Sequence, residues 1–206
     1  MIAFIRWLWP LLFLGLAGCT GARPSPQLDA AGVDRAWSDR QQQLAGIQGF
    51  DAQGRIAVKG GGLAGALSWQ QRGEHFRLRL AGPLGVGALL MEGTPQQASL
   101  RGKDLDLTTD QPEEVLAART GWRLPLDALR WWVLGLPDPA QSTASALLLD
   151  DLGRALAFEQ SGWQLRYSDY GEATALALPR RVEARQTTAD GEWKATVILE
   201  SLTLLP

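Results

Sequence analysis

Between Phe50 and Lys59 apolar and polar residues alternate: Phe50, Ala52, Gly54, Ile56 and Val58 share one side, and Asp51, Gln53, Arg55 and Lys59 the other. Successive side chains of a strand point to opposite faces, so this pattern predicts a strand buried on one face and wet on the other. Gly60, Gly61 and Gly62 supply a turn, alternation resumes through Leu63, Gly65, Leu67 and Trp69, and Arg72-Gly73 turns into Phe76, Leu78 and Leu80. Three antiparallel strands with a common apolar face follow. Similar patterns predict strands at Val86 to Glu92, Gln97 to Arg101 and Asp104 to Thr109, then at Ala144 to Asp150, Ala155 to Gln160, Trp163 to Tyr167, Arg180 to Gln186 and Glu192 to Leu199. Asp151 to Gly153, Ser161-Gly162 and Asp190-Gly191 mark tight turns between neighbours.

Two stretches keep helical spacing instead. Val33, Trp37, Leu44 and Ile47 fall on one side of a helix over Val33 to Ile47. A second region opens at Asp110 as an N-cap, with Pro112 in the first turn and Glu113 and Glu114 where the helix dipole favours negative charge. It stops near Gly121, and a further helix runs from Pro125 to Leu134, ended by Gly135 and Pro137-Asp138-Pro139. The chain is therefore mainly β, with about eleven short antiparallel strands, an N-terminal helix and a helical insert. Such a sheet can curl into a barrel or half-barrel around an apolar interior.

The first residues follow neither pattern. Arg6, an apolar block from Trp7 to Leu16 and then small residues have the three-part build of an export signal, and the block is too short to span a bilayer. Leu16-Ala17-Gly18-Cys19 resembles a bacterial lipobox, and Cys19 is the sole cysteine. That resemblance implies removal of residues 1–18, an S-diacylglycerol on Cys19 and an N-palmitoyl group on its freed amine. Thr20, where inner-membrane lipoproteins commonly carry Asp, points to the outer membrane with the protein facing the periplasm. Residues 19–32, with Pro24 and Pro26, read as a lipidated tether, and 33–206 as one folded domain. The competing reading is an ordinary signal with a chance cysteine.

Composition narrows the chemistry. The net charge is −2 for the whole chain, and no basic cluster offers a nucleic-acid footprint. With one cysteine no disulfide can form, so stability must come from packing, to which Trp37, Trp69, Trp122, Trp131, Trp132, Trp163 and Trp193 contribute broad apolar surfaces. His75 is the only histidine, so triads and zinc sites of the usual kinds lack parts. Glu113 and Glu114 are helix-start residues. Asp104 and Asp106 alternate with Leu105 and Leu107 and point outward. No enzyme activity, cofactor or metal is expected. One segment breaks the rule that turns are polar: Gly82-Pro83-Leu84-Gly85-Val86-Gly87 places Leu84 at a turn tip. Leu84 either folds back onto the core as a plug or stands out as an apolar finger for membrane or lipid.

Gly54-Arg55-Ile56-Ala57-Val58, Leu67-Ser68-Trp69-Gln70-Gln71, Leu78-Arg79-Leu80-Ala81-Gly82-Pro83-Leu84-Gly85, Thr120-Gly121-Trp122-Arg123-Leu124-Pro125-Leu126 and Leu129-Arg130-Trp131-Trp132-Val133-Leu134-Gly135-Leu136-Pro137 together resemble the LolB family. Its members are outer-membrane receptors that take lipoproteins from a periplasmic carrier and insert them. The resemblance implies an unclosed antiparallel barrel with a helical lid and an apolar cavity for acyl chains. It implies as partners a LolA-like carrier, acylated lipoproteins and outer-membrane phospholipid, for a chain expected to be a monomer. It further places lipid transfer on the loop holding Pro83, Leu84 and Val86. Candidate cavity walls are Ile56, Val58, Leu67, Trp69, Phe76, Leu78, Leu80, Trp132 and Trp163, each of which could equally be packed core. A different function with the same body is a structural or sensing lipoprotein that transfers no lipid.

Overall fold

The structure is a computed structural model that describes residues 28–59, 63–82, 88–120, 124–172, 174–188 and 191–205. Helix α1 (Ala30–Ala45) is followed by strands β1 (Gly49–Lys59), β2 (Leu63–Arg72), β3 (His75–Ala81), β4 (Leu89–Gly93), β5 (Ala98–Gly102) and β6 (Leu105–Thr109). Helices α2 (Pro112–Thr120) and α3 (Leu126–Trp132) come next, then β7 (Ser145–Leu149), β8 (Ala155–Gln160), β9 (Trp163–Tyr170), β10 (Pro179–Thr188) and β11 (Gly191–Leu205). All eleven strands belong to one antiparallel sheet in the order β6-β5-β4-β3-β2-β1-β11-β10-β9-β8-β7. The two edges, β6 and β7, do not pair with each other, so the barrel is unclosed. The helical insert is the connection between those free edges.

Each arm is a meander of neighbours in sequence, and the single long-range pairing, β1 with β11, joins the arms. Inward positions of β1 are buried at Phe50 and Ala52, and the Phe50 and Trp69 rings meet edge to face at 5.0 Å. The register slips between Gln53 and Gly54: Gln53 pairs with Ser201 and Gly54 with Leu199, leaving Glu200 as an extra residue on β11. That bulge shifts the alternation by one, which is why the sequence pattern stops at Leu199 although the strand continues to Leu205. A Cβ on Gly54 would collide with the carbonyl oxygen of Ile198. Gly54→Ala should therefore lower stability by about 2 kcal/mol, a Tm fall of about 4–8 °C in a thermal melt.

Other boundaries move for local reasons. Asp29 accepts a hydrogen bond from the Gly32 N–H at 2.8 Å and starts α1 at Ala30, so residues 30–32 belong to the helix and not to the tether. At α2 the first helical residue is Pro112 and Val115 donates to the Gln111 carbonyl, so Gln111 and not Asp110 holds the cap position. Proline lacks an N–H and has a preset φ, which suits the first helical position. Strand β4 begins at Leu89, later than the pattern over Val86 to Glu92 predicts, and Val86 lies outside the described residues. Helix α3 ends at Trp132 with Val133 at its C-cap, two residues before the expected end at Leu134. Gly135 closes the turn that follows: at φ +74° it donates to the Trp132 carbonyl while Leu136 donates to that of Trp131.

Hydrogen bonds tie the C-terminal end of α3 to two distant parts of the chain. Arg130, in its last turn, donates to the Gly73 carbonyl of the β2–β3 turn at 3.2 Å. Just beyond the helix, the Leu134 carbonyl accepts from Arg40 of α1 at 3.0 Å. Arg40 is buried and also donates to the carbonyls of Ala175 and Ala177, at 2.6 and 3.0 Å. Burial lowers its pKa from the ordinary value. Glu113, in the first turn of α2, accepts from the Leu126 N–H at 2.6 Å, so the carboxylate read as helix-start chemistry also ties α2 to the start of α3. Burial holds this carboxyl above its ordinary range against the pull of that hydrogen bond.

On the outer face Glu183 sits among Arg181 at 2.7 Å, Lys194 at 3.0 Å and Arg185 at 3.6 Å. Hydrogen bonds from Arg181, then Lys194, hold its carboxyl down at about 2. An ordinary glutamate titrates near ~4.3 when unfolded. The depressed native value therefore adds stability above that pH, which is lost as pH falls toward 2. An acid titration of Glu183→Gln should show a shallower loss of stability over that window.

Candidate functional site: an apolar slot in the concave face

Where the sheet curls, inward side chains from both arms face one another and leave a cleft. Ile56 and Val58 of β1, Leu67 and Trp69 of β2, and Leu78 and Leu80 of β3 line it from one arm. Trp163 and Leu165 of β9, Val182 and Ala184 of β10, and Trp193, Ala195 and Val197 of β11 line it from the other. Leu124, Leu129, Trp132 and Val133 close it from the helical insert. Lys194 borders the cleft between two inward residues, but its ammonium is turned to Glu183. The wall thus presents aliphatic and aromatic surface almost throughout.

Atom-free space in the cleft, counting its open side, is about 970 Å³, but the part wide enough for the centre of a water-sized sphere is about 110 Å³. In this conformation it is a slot. Space for several acyl chains requires the walls or the insert to spread.

Two of the indole donors in the slot wall are satisfied away from it. The Trp132 indole N–H donates to the Gln160 side-chain oxygen at 2.9 Å, which also accepts from the Asp138 N–H. The Gln160 amide donates to the carbonyls of Asp138 at 2.9 Å and Ser142 at 2.8 Å. Trp69 repeats the device, donating to Gln71, whose amide donates to the Gly73 carbonyl. A buried indole N–H without a partner would cost about 1–3 kcal/mol and disfavour a lipid neighbour. With its donor engaged, Trp132 packs against Trp163 at 5.9 Å between ring centres and keeps a hydrocarbon-like surface.

Eight of the nine wall positions chosen from sequence line the slot, and Phe76 does not. Phe76 is a buried core residue at the Gly73 end of β3, where Arg130 brings α3 against the turn. Sequence reasoning missed the contributions of β10 and β11 and, Trp132 apart, those of the helical insert, although Val182 with Ala184 and Trp193 with Ala195 alternate in the same way. It also missed Gln71 and Gln160, whose signal was a polar residue at an inward position beside tryptophan. Cys19, Pro83, Leu84 and Val86 lie outside the described residues.

Strand registers still locate the ends of the segment bearing Leu84. Residues 83–87 join β3 to β4 at the end of the sheet where β1 meets β2 and β10 meets β11. The slot occupies this same half, through Val58, Leu80, Ala184 and Ala195. Among the described residues no group of three or more His, Cys, Asp or Glu is placed to hold a metal ion. No described helix is long and apolar enough to cross a membrane.

Residues 48–201, which include all eleven strands in whole or part, match the family model described as outer membrane lipoprotein LolB. The chain is 36% identical to the outer-membrane lipoprotein LolB of Stutzerimonas stutzeri, covering 84% of each chain. It is 38% identical to that of Nitrosococcus oceani over 81% of this chain and 83% of the relative. For Pseudomonas fluorescens the values are 35%, 91% and 92%. A LolA superfamily structure from Nitrosomonas europaea superposes on 85% of this chain and 94% of its own with a TM-score of 0.49 at 10% identity, a likeness too loose to bear on function. The family match and identities held across most of both chains mean that this chain belongs to the LolB family.

Proposed function

We propose that the protein is an outer-membrane-anchored receptor that accepts lipoproteins from a periplasmic LolA-like carrier by taking their acyl chains into the slot, then inserts them into the outer membrane. The observation that carries this reading is the apolar wall built jointly by strands of both arms and the helical insert. In this reading residues 1–18 are the removed leader, Cys19 carries the lipid, and the residues before α1 tether the body to the membrane.

Energetics supports handover without any bond being made or broken. Exposing an acyl chain to water costs about 0.8 kcal/mol per CH2, so each chain must pass from one apolar surface to the next. Handover proceeds if the slot binds the chains better than the carrier does, and release is downhill because the bilayer solvates them best. Spreading of the slot draws on that binding energy. Pro83, Leu84 and Val86 would then meet the bilayer close to the slot's own end.

A transfer assay with the matched carrier, combined with binding of a long-chain fluorescent fatty acid, tests the proposal. The protein should compete for the carrier's lipoprotein and bind the probe. A structural or sensing lipoprotein with a filled half-barrel would do neither, and that pair of results would sink the receptor reading.

A further inference from the structure

We propose that Arg79, Arg101 and Lys103 form a site for the phosphate of a phospholipid headgroup at the base of the segment that carries Leu84. Pairing of Arg79 with Leu90 and of Leu90 with Arg101 sets the two arginines in one row on the outer face of β3, β4 and β5. Two strand spacings, about 10 Å, separate their backbones. Together with Lys103 and Ala88 they border a shallow depression floored by Leu90. All three cations are exposed.

The row departs from the pattern around it. Other described arginines of strands β1 to β6 each meet a carboxylate: Arg55 with Glu200, Arg72 with Asp51, Arg77 with Glu92 and Arg101 with Asp106. Arg79 has no such partner among the described residues; across the strand it meets Leu90 and, beyond it, another arginine. Asp106 reaches Arg101 at 3.5 Å with a side chain 83% exposed, which leaves that pair readily exchanged for another anion. Guanidinium forks suit phosphate oxygens in a bidentate geometry, and their stems can lie along an apolar floor while the charged heads meet water or headgroups.

Position selects the source of the phosphate. Residue 88 is where the segment from Pro83 to Gly87 rejoins the described chain ahead of β4, so the depression abuts that segment. If Leu84 enters the bilayer, cations at the segment's base lie at headgroup depth, where each basic residue favours an anionic surface. This inference rests on the receptor reading for the role of Leu84, and the following experiment separates the two.

Residues 20–206 retain every described element and lack the anchor. Their binding to vesicles of phosphatidylglycerol with phosphatidylcholine, and to phosphatidylcholine alone, can be measured by sedimentation at low and raised chloride. The unaltered protein should prefer the anionic vesicles in a salt-sensitive way. Arg79→Gln/Arg101→Gln/Lys103→Gln should weaken that binding roughly a hundredfold, at about fivefold per charge, with acyl-probe binding and Tm unchanged. Arg79→Gln alone should show the fivefold loss, which guards against a triple variant that folds poorly. Equal binding by Arg79→Gln and unaltered protein would overturn the proposal. So would displacement by inorganic phosphate beyond that by chloride at matched ionic strength, which would identify free phosphate as the ligand. Normal vesicle binding with failed uptake from the carrier would make the patch a protein-docking surface and overturn it equally. Loss of probe binding and uptake by the unaltered protein, with vesicle binding still dependent on these cations, would remove the receptor reading and keep the headgroup site.

Discussion

Ala184→Trp should block acyl-chain uptake while leaving the protein folded. Ala184 points into the slot from β10, with Leu165 and Ala195 as its cross-strand neighbours. An indole there takes up part of the roughly 970 Å³ of atom-free space in the cleft, so it fills existing space instead of displacing a packed neighbour. Overpacking a filled core costs about 1–3 kcal/mol, and a partly empty site should stand at the low end. The affinity for a long-chain fluorescent probe is expected to fall at least tenfold, equivalent to about 1.4 kcal/mol, with a parallel loss of lipoprotein acceptance and a melting midpoint within a few degrees. Unimpaired probe binding would mean that acyl chains sit elsewhere.

The second large effect is expected from Leu84→Glu. Burying a leucine in an apolar medium contributes about 1.5–3 kcal/mol, so replacing that contact with a charge should slow delivery to membranes by about tenfold to a hundredfold. Acceptance from the carrier and probe binding should stay near normal, because the slot is untouched. A two-stage assay that separates acceptance from membrane insertion reads this difference. If Leu84 is a plug, Tm instead drops by several degrees and acceptance and delivery fall together. The two variants therefore dissect one pathway: Ala184→Trp stops it at entry and Leu84→Glu at exit.

Much of the architecture was legible because it is written in short-range periodicity. Alternation in β1, β2 and β3 states which side chains share a face, and turns such as Ser161-Gly162 state where the chain reverses. Such signals fail where a local irregularity changes phase. Glu200 at the β11 bulge is one case, since pairing with β1 absorbs an extra residue that alternation alone reads as a strand end. Gln160 is another. Alternation alone gives no reason for a polar residue at its buried position; Trp132, 28 residues away in sequence, supplies the donor whose hydrogen bond it accepts.

The sequence by itself determined the strand faces, the helical insert and the family motifs, all of which depend on neighbours along the chain. Only the tertiary structure decided which inward residues bound empty space. Phe76, Leu78 and Leu80 follow one alternation on one strand, yet Leu78 and Leu80 line the slot while Phe76 packs in the core. Their difference lies in the curl of the sheet and in the placing of the C-terminal end of α3 against Gly73 and Arg40, set by contacts between residues far apart in sequence. Arg79 meets no carboxylate among the described residues for the same kind of reason: strand register, and not the residue's own neighbours in the chain, chooses what stands opposite it.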